Sequence, residues 1–316
     1  MYARRYGLIH TLAPLHVGAS AGEEAGNLNL IFRDAYTQTG IIPGSSIRGR
    51  FRAEMRRLDA TKEKDLTNYW YGYQSAVADD EIVDEPQETA RVSPTTVEPR
   101  FSEGRVKFEY ASLLWIPVFC PGQPVVWVSC PRLLRRHARL SGLSTENLAA
   151  INELANVCSK GLQATTLQFQ NEPQVKLFFN LGFLRLQRAT DETQRLLEKF
   201  LPPPIRDDVP VEQLVVVDDA SMGSIHDMAL YRQSRVKLSD EKLVQFFFNM
   251  EALPEGSVLS FPIAVNEPAR PDELLNSWVP FKQANQIVAD SGELYFGGLE
   301  SIGFGRCQVN IMEFGA

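Results

Sequence analysis

Three places in the chain carry residues whose types and spacing could do chemistry. The first is Pro43-Gly44-Ser45-Ser46, followed by Arg48, Arg50 and Arg52. A proline–glycine turn ahead of serines opens a helix, with Ser45 or Ser46 as the N-cap that accepts from orphan N–H groups. The free N–H groups and positive dipole end of a helix bind phosphate. Residues 43–57 hold five arginines and one glutamate in a chain whose net charge is −7. Arginine stays charged and suits bidentate phosphate contact. Two readings stay open here: phosphate or nucleic-acid contact, and a solvated amphipathic helix whose arginines pair with nearby acids. The second place is residues 297–306, where Gly297, Gly298, Gly303 and Gly305 precede Arg306. Without Cβ atoms, a backbone can pass close to a partner. This is not the dinucleotide fingerprint, which ends an early strand and opens a helix. It reads as a phosphate-facing loop or as a hairpin that only turns. The third place is His16, either a packing and hydrogen-bonding residue or an acid, base or phosphate donor. Asp218-Asp219, with Asp227 beyond, either holds Mg²⁺ or caps a turn.

Other chemistries are excluded. Cys120, Cys130, Cys158 and Cys307 lie far apart with no C-x-x-C pair and no histidine at ligand spacing, which argues against structural zinc. They read as reduced, partly buried thiols. The four histidines are scattered, so a histidine-rich metal site is not expected.

The elements that must position these residues follow from periodicity. Residues 2–12 read as a first strand and 15–35 as a loop. Ile47, Phe51, Met55 and Leu58 recur at helical spacing and face a core, with Arg48, Arg52 and Arg56 as a stripe beside them. From 60 to 102 the periodicity fails, and residues 79–88 form an exposed acidic insertion. Strands are expected at 105–119, 123–129, 175–186, 214–217, 258–265, 293–296 and 307–312. Helices are expected at 132–140, 145–154, 191–201 and 239–248, the last capped by Ser239. Residues 220–235 show weak periodicity, and the three prolines at 202–204 mark an exposed connector. Strands and helices without regular alternation give an α+β class, and both termini can lie in one central sheet. With 316 residues, 44% hydrophobic and 22% charged, the chain is an ordinary globular protein of one enlarged domain or two. No run approaches a membrane span and no signal segment opens the sequence, so a cytoplasmic protein is expected.

Taken in order, Leu15-His16-Val17-Gly18, Arg33-Asp34, Ile42-Pro43-Gly44-Ser45-Ser46-Ile47-Arg48-Gly49, Gly297-Gly298 and Ile302-Gly303-Phe304-Gly305 resemble the RAMP superfamily. Within it they are similar to the backbone subunit of type III CRISPR effector complexes. Residues 114–118, 126–134 and 214–217 resemble the Cmr-type backbone protein more than the Csm-type. The resemblance runs from residue 8 to about 312. It implies an α+β fold with a ferredoxin-like (RRM-like) core and insertions forming a palm-and-thumb shape. Residues 1–316 would be a single RAMP domain with an insertion at about 60–104. The thumb would come from about 202–238 or from 76–102; in the former case Met222 and Ile225 are candidate wedges between bases. The implied partners are guide RNA, target RNA and other CRISPR effector subunits, including neighbouring backbone copies, in antiviral defence and away from membranes. Ser45, Ser46, Arg48 and Arg50 would contact guide phosphates, Gly297, Gly298, Gly303 and Gly305 would line the same groove, and His16, Arg52 and Arg306 complete the RNA-binding set.

One departure from the pattern matters. The aspartate that active family members need for target-RNA cleavage falls at Leu28, between Asn27 and Asn29, and the usual proline two residues later is Leu30. Leucine binds no metal and takes no proton. The expectation is therefore a structural copy without its own cleavage and without a cofactor; Mg²⁺ or another divalent ion would enter only in a cleaving version. The alternative is an endoribonuclease subunit using His16 with Glu23 or Glu24. A small-molecule enzyme holding a phosphorylated ligand on the glycine loop is a third class. Asp34 is expected to be structural, pairing with Arg33 or with an arginine of the following helix.

Overall fold

The computed structural model describes residues 2–19, 28–59, 66–74, 101–121, 125–159, 163–165, 175–179, 182–239, 244–266, 278–282 and 288–315. In chain order the first half runs β1 (Tyr2–Thr11), β2 (Leu28–Asn29), β3 (Ile41–Ile42), α1 (Gly44–Asp59), α2 (Leu66–Tyr71), β4 (Tyr73–Gln74) and β5 (Phe101–Ser102). It continues with β6 (Val106–Phe108), β7 (Ala111–Val118), β8 (Val126–Ser129), α3 (Pro131–Ser141), α4 (Thr145–Ser159) and β9 (Gln163–Thr165). Then come β10 (Val175–Phe179), β11 (Gly182–Arg188), α5 (Asp191–Glu198), α6 (Pro203–Arg206), β12 (Leu214–Val216) and α7 (Met222–Ala229). The last elements are β13 (Tyr231–Leu238), β14 (Val244–Ala252), β15 (Val258–Asn266), β16 (Phe281–Lys282), β17 (Val288–Ala289), β18 (Ser291–Tyr295) and β19 (Arg306–Glu313).

Among the described residues the molecule is a mixed α/β structure built on one 12-stranded sheet in the order β10-β11-β9-β12-β8-β7-β15-β1-β19-β18, with β3 on β7 and β6 on β15. Strand β1 sits inside it, antiparallel to β15 on one side and to β19 on the other. Its last six residues are buried without alternation, as a strand covered on both faces should be. The cover on one face is α1 and α7, whose Ile47, Phe51, Met55, Met222 and Ile225 share a cluster with Ile9, Phe261 and Ile263. On the other face, Leu134 and Ala138 of α3, Leu154 of α4, Leu196 and Leu197 of α5 and Ile205 of α6 pack with Leu114, Trp115, Leu214 and Val216. Phe51 fixes α1: its ring stacks on Phe108 at 5.4 Å and meets Trp278 at 5.8 Å. Fully burying such a ring stabilises by about 1.5–3 kcal/mol.

Several expectations need correction. From Val244 on, the helix expected over 239–248 is replaced by β14, which pairs antiparallel with β13; residues 240–243 lie outside the described residues. Val244 and the Phe246–Phe248 run favour a pleated strand beside a partner, and that pairing overrides the capping serine. The single strand over 175–186 is a hairpin in which Phe179 faces Gly182. The expected loop over 15–35 contains β2, parallel to β14, and bridges Gly18 to Ile31. The weakly periodic 220–235 holds α7 and the start of β13. Met222 and Ile225 are 1% and 3% exposed, so they belong to the core and are not wedges between bases. Helix α1 begins at Gly44 with Pro43 O accepting from Ser46 N and Ile47 N, so Ser45 and Ser46 lie in the first turn rather than at the cap. The acidic stretch 79–88 lies outside the described residues; within the 60–104 insertion, α2 is helical and buries Trp70 and Tyr71.

Candidate nucleic-acid interface

The two sequence motifs, some 250 residues apart, meet across one cleft of about 450 Å³. One wall is the solvent side of α1, where Ser46, Gly49, Arg50 and Ala53 recur at helical spacing. The other is the loop between β18 and β19, with Phe296, Gly297, Gly298 and Glu300. Val17 and Gly18 close the floor.

Helical period sorts the arginines of α1. Arg48 donates to Tyr71 O, and Arg52 Nη2 donates to Asn68 Oδ1 and Gly72 O, both at 3.2 Å. Their cations thus satisfy carbonyls at the C-terminal end of α2, where positive charge is favoured. Arg50 alone of the three lines the cleft, and it pairs with Glu54 one turn on at 3.1 Å. Glu54 also takes Arg57 at 3.5 Å. Ser45 and Ser46 are exposed at the positive end of the helix. Gly49 has open space where a Cβ would stand. Glycine inside a helix costs about 1 kcal/mol against alanine, and packing gives no reason for it here.

The glycines of the loop divide in the same way. Gly297 has φ +77°, and a Cβ there would stand 2.1 Å from His16 O. Gly305 has φ +85°, and its Cβ would stand 2.3 Å from Phe296 O. Both are required by the backbone. Gly303 (φ +92°) and Gly298 meet nothing. Arg306 makes two 2.9 Å contacts to Glu293 across the hairpin. That partner raises the arginine's pKa and lowers the carboxylate's, and both groups are exposed.

His16 is buried beneath the loop. Its Nδ1–H donates to Glu251 O at 2.6 Å, and its own carbonyl accepts from Gly298 N at 3.0 Å. The bond to a carbonyl places the ring proton on Nδ1. The Glu251 carboxylate, nearly inaccessible, takes Arg33 at 2.9 Å and Arg232 at 3.1 Å; Arg33 also holds Asp227 at 2.5 Å. Among the described residues Asp34 pairs neither with Arg33, which holds Asp227 and Glu251, nor with an arginine of α1, contrary to the expectation. Its Oδ1 instead accepts from Tyr36 N, Thr37 N and the Thr37 hydroxyl, closing a tight turn. Beside this turn, His226 Nε2 accepts from Gly40 N at 2.9 Å. Burial, helped by the Arg33 charge, lowers the His226 pKa to about 3.

Glu23 and Glu24 lie outside the described residues. The main chain of Leu28 is paired with Asn249 of β14. Asp218 caps Ser221, and Asp219 Oδ1 accepts from Arg132 N at the start of α3. Among the described residues no three histidines, cysteines or acids are grouped to hold a metal. The four cysteines are buried, and burial raises the thiol pKa of Cys120 to about 11. No helix of the described residues is long and apolar enough to cross a membrane. Sequence reasoning quoted Val17, Gly18 and Gly49 only as motif members and missed Ala53, Tyr295 and Phe296 as cleft lining. The small residues at 46, 49 and 53, one helical face, were the available signal.

Solved structures share this fold. A type III-B Cmr-beta complex bound to cognate target RNA contains a chain 19% identical over 98% of both chains, with a TM-score of 0.63. Oligomeric Cmr4 from Pyrococcus furiosus is 16% identical over 99% of both chains, with a TM-score of 0.61. Comparison with curated proteins gives no match. The RAMP superfamily model matches residues 8–308, and with both of its glycine-bearing motifs set face to face in one cleft, this chain belongs to the RAMP superfamily.

Proposed function

We propose that this chain is a guide-RNA-binding backbone subunit of a type III CRISPR effector complex in antiviral defence, and that it does not itself cut target RNA. The observation that carries this reading is the cleft. A helix N-terminus, an arginine and two sterically unneeded glycines face the same space, which suits a sugar–phosphate backbone. The likeness to a chain of Cmr-beta bound to cognate target RNA, and to oligomeric Cmr4, supports the choice of ligand. Guide RNA, target RNA and neighbouring copies are the proposed partners.

Strands β19, β1, β15 and β7 lie side by side, all antiparallel. Numbered by chain order they read 4-1-3-2 with α1 after the first, which supports a ferredoxin-like core in a single domain over 1–316. Of the candidate thumb at 202–238, α6 and α7 are packed into the body. The part that stands out is β13, whose Arg232, Ser234 and Val236 are exposed along one face. The proposed thumb is therefore the β13–β14 hairpin, resting on the glycine loop that walls the palm. Leu28 leaves the cleavage position without a carboxylate, so no metal is needed in this reading; a divalent ion would belong only to a cleaving version.

The test is binding of labelled single-stranded RNA by the purified chain between about 50 and 200 mM salt. A linear fall of log affinity with log salt is expected, because displaced counterions drive phosphate binding. Absence of binding at the low-salt end overturns the proposal. Mapping target cuts opposite this subunit in the assembled complex tests the second half, and specific cuts lost on His16→Ala would overturn it.

A further inference from the structure

The glycine loop does more than wall the cleft. Residues 300–303 and Arg306 are exposed, yet Phe304 between them is 4% exposed. Its ring enters a small cluster with Met250 and Ala252 of β14, flanked by Phe248 and Leu299. This cluster is separate from the two main cores. On the β13 side the Tyr231 ring meets Phe304 edge-on at 6.0 Å, and the Arg235 guanidinium lies 5.5 Å above it. Phe304 is thus enclosed by both strands of the hairpin. The loop is shaped to deliver it: Leu299, Gly303 and Gly305 all take left-handed backbone angles, at φ +67°, +92° and +85°. A non-glycine residue in that region is uncommon and strained, so Leu299 is held there by its surroundings.

We infer that Phe304 is a positioning residue: it docks the β13–β14 hairpin onto the loop whose Gly297 and Gly298 wall the cleft, so that hairpin and cleft hold one register. This rests on the proposed function for its RNA consequence but not for the docking itself. Phe304 touches no cleft space. Its effect on RNA passes through the hairpin and through Arg235, which keeps its 3.2 Å bond to Gln233 Oε1 but loses the ring beneath it when Phe304 is truncated. Aromatic contacts of this kind fix geometry as well as burying area.

Two measurements on Phe304→Ala test it, with Phe304→Tyr as the conservative variant. Hydrogen exchange should quicken in residues 231–238 and 244–252, while amides of 2–11, 258–266 and 306–313 keep their protection. RNA affinity should fall by about tenfold and the salt slope by about 1, the share of one cation. Phe304→Tyr should restore both. Loss of protection across the whole sheet, or an unchanged hairpin, overturns the docking. A loosened hairpin with unchanged RNA affinity and slope overturns the positioning role. If the unaltered chain binds no RNA, the proposed function falls instead, and the exchange measurement alone decides the docking.

Discussion

The helical wall of the cleft and its glycine-loop wall face each other but are specified differently. On α1, position along a regular helix decides which residue does what. Arg48 and Arg52, four residues apart, turn to α2 and hold its last carbonyls; Arg50 and Gly49 turn to the cleft. On the loop, backbone angle and close approach decide. Gly297 and Gly305 are forced by neighbouring carbonyls, whereas Gly298 is not. In both walls, residues of one type split into a set that holds the fold and a set that faces open space. Residue type alone would give all of them the same role.

Acid should break the fold side first. Burial lowers the pKa of His137 to about 4 and that of His226 to about 3, from an ordinary 6.5. Each binds fewer protons folded than unfolded in that window. Stability is therefore complete above about pH 6.5 and falls by about 1.4 kcal/mol per histidine per pH unit as pH drops toward 4. Protonating His226 also removes the acceptor for Gly40 N, just ahead of α1. Denaturant midpoints between neutral and mildly acid pH check this, and His137→Phe should flatten the slope by one histidine's share. An unchanged slope in that variant would refute the assignment.

Alanine at the paired glycines should separate the sets within the loop. Gly297→Ala should cost about 2–4 kcal/mol through strain and the clash with His16 O. Gly298→Ala should stay within about 0.5 kcal/mol. Urea denaturation of the two variants compares them directly; equal losses would mean the loop does not distinguish its glycines.

The arginines provide a finer contrast. Arg48→Ala leaves a carbonyl of α2 unpaired and should cost about 1–2 kcal/mol, with the salt dependence of RNA binding preserved. Arg50→Ala should change stability by less than about 1 kcal/mol and reduce the salt slope by about 1. Titrations at several salt concentrations read the difference, and equal slopes in the two variants would erase it.

The smallest expected effect is the most diagnostic of the cleft. Gly49→Ala should stabilise the fold by about 0.5–1 kcal/mol and weaken RNA binding several-fold. A more stable chain that binds RNA as well as before would show that nothing approaches the helix at that point.

Local signals were enough for much of the architecture. Apolar runs marked β1, β7, β15 and β19, and the Ile47, Phe51 and Met55 spacing marked α1, because burial on a sheet face or helix stripe leaves a period in the sequence. The order of short motifs was enough for the family. Where local preference and long-range pairing disagreed, the sequence misled: the Ser239 cap suggested a helix, but β13 was available as a partner for the Phe246–Phe248 run. The hairpin between Phe179 and Gly182 was missed because its two arms share one apolar pattern.

By itself, the sequence determined that five arginines would sit on one helix and four glycines in one late loop. Only the tertiary structure decided that α2 takes two of those arginines, that Glu293 takes Arg306, and that two of the glycines answer to carbonyls of His16 and Phe296. Composition and period are properties of one segment. The partner of a cation, and the atom a Cβ would strike, belong to segments far away in the chain, and the side chain's role follows from those distances.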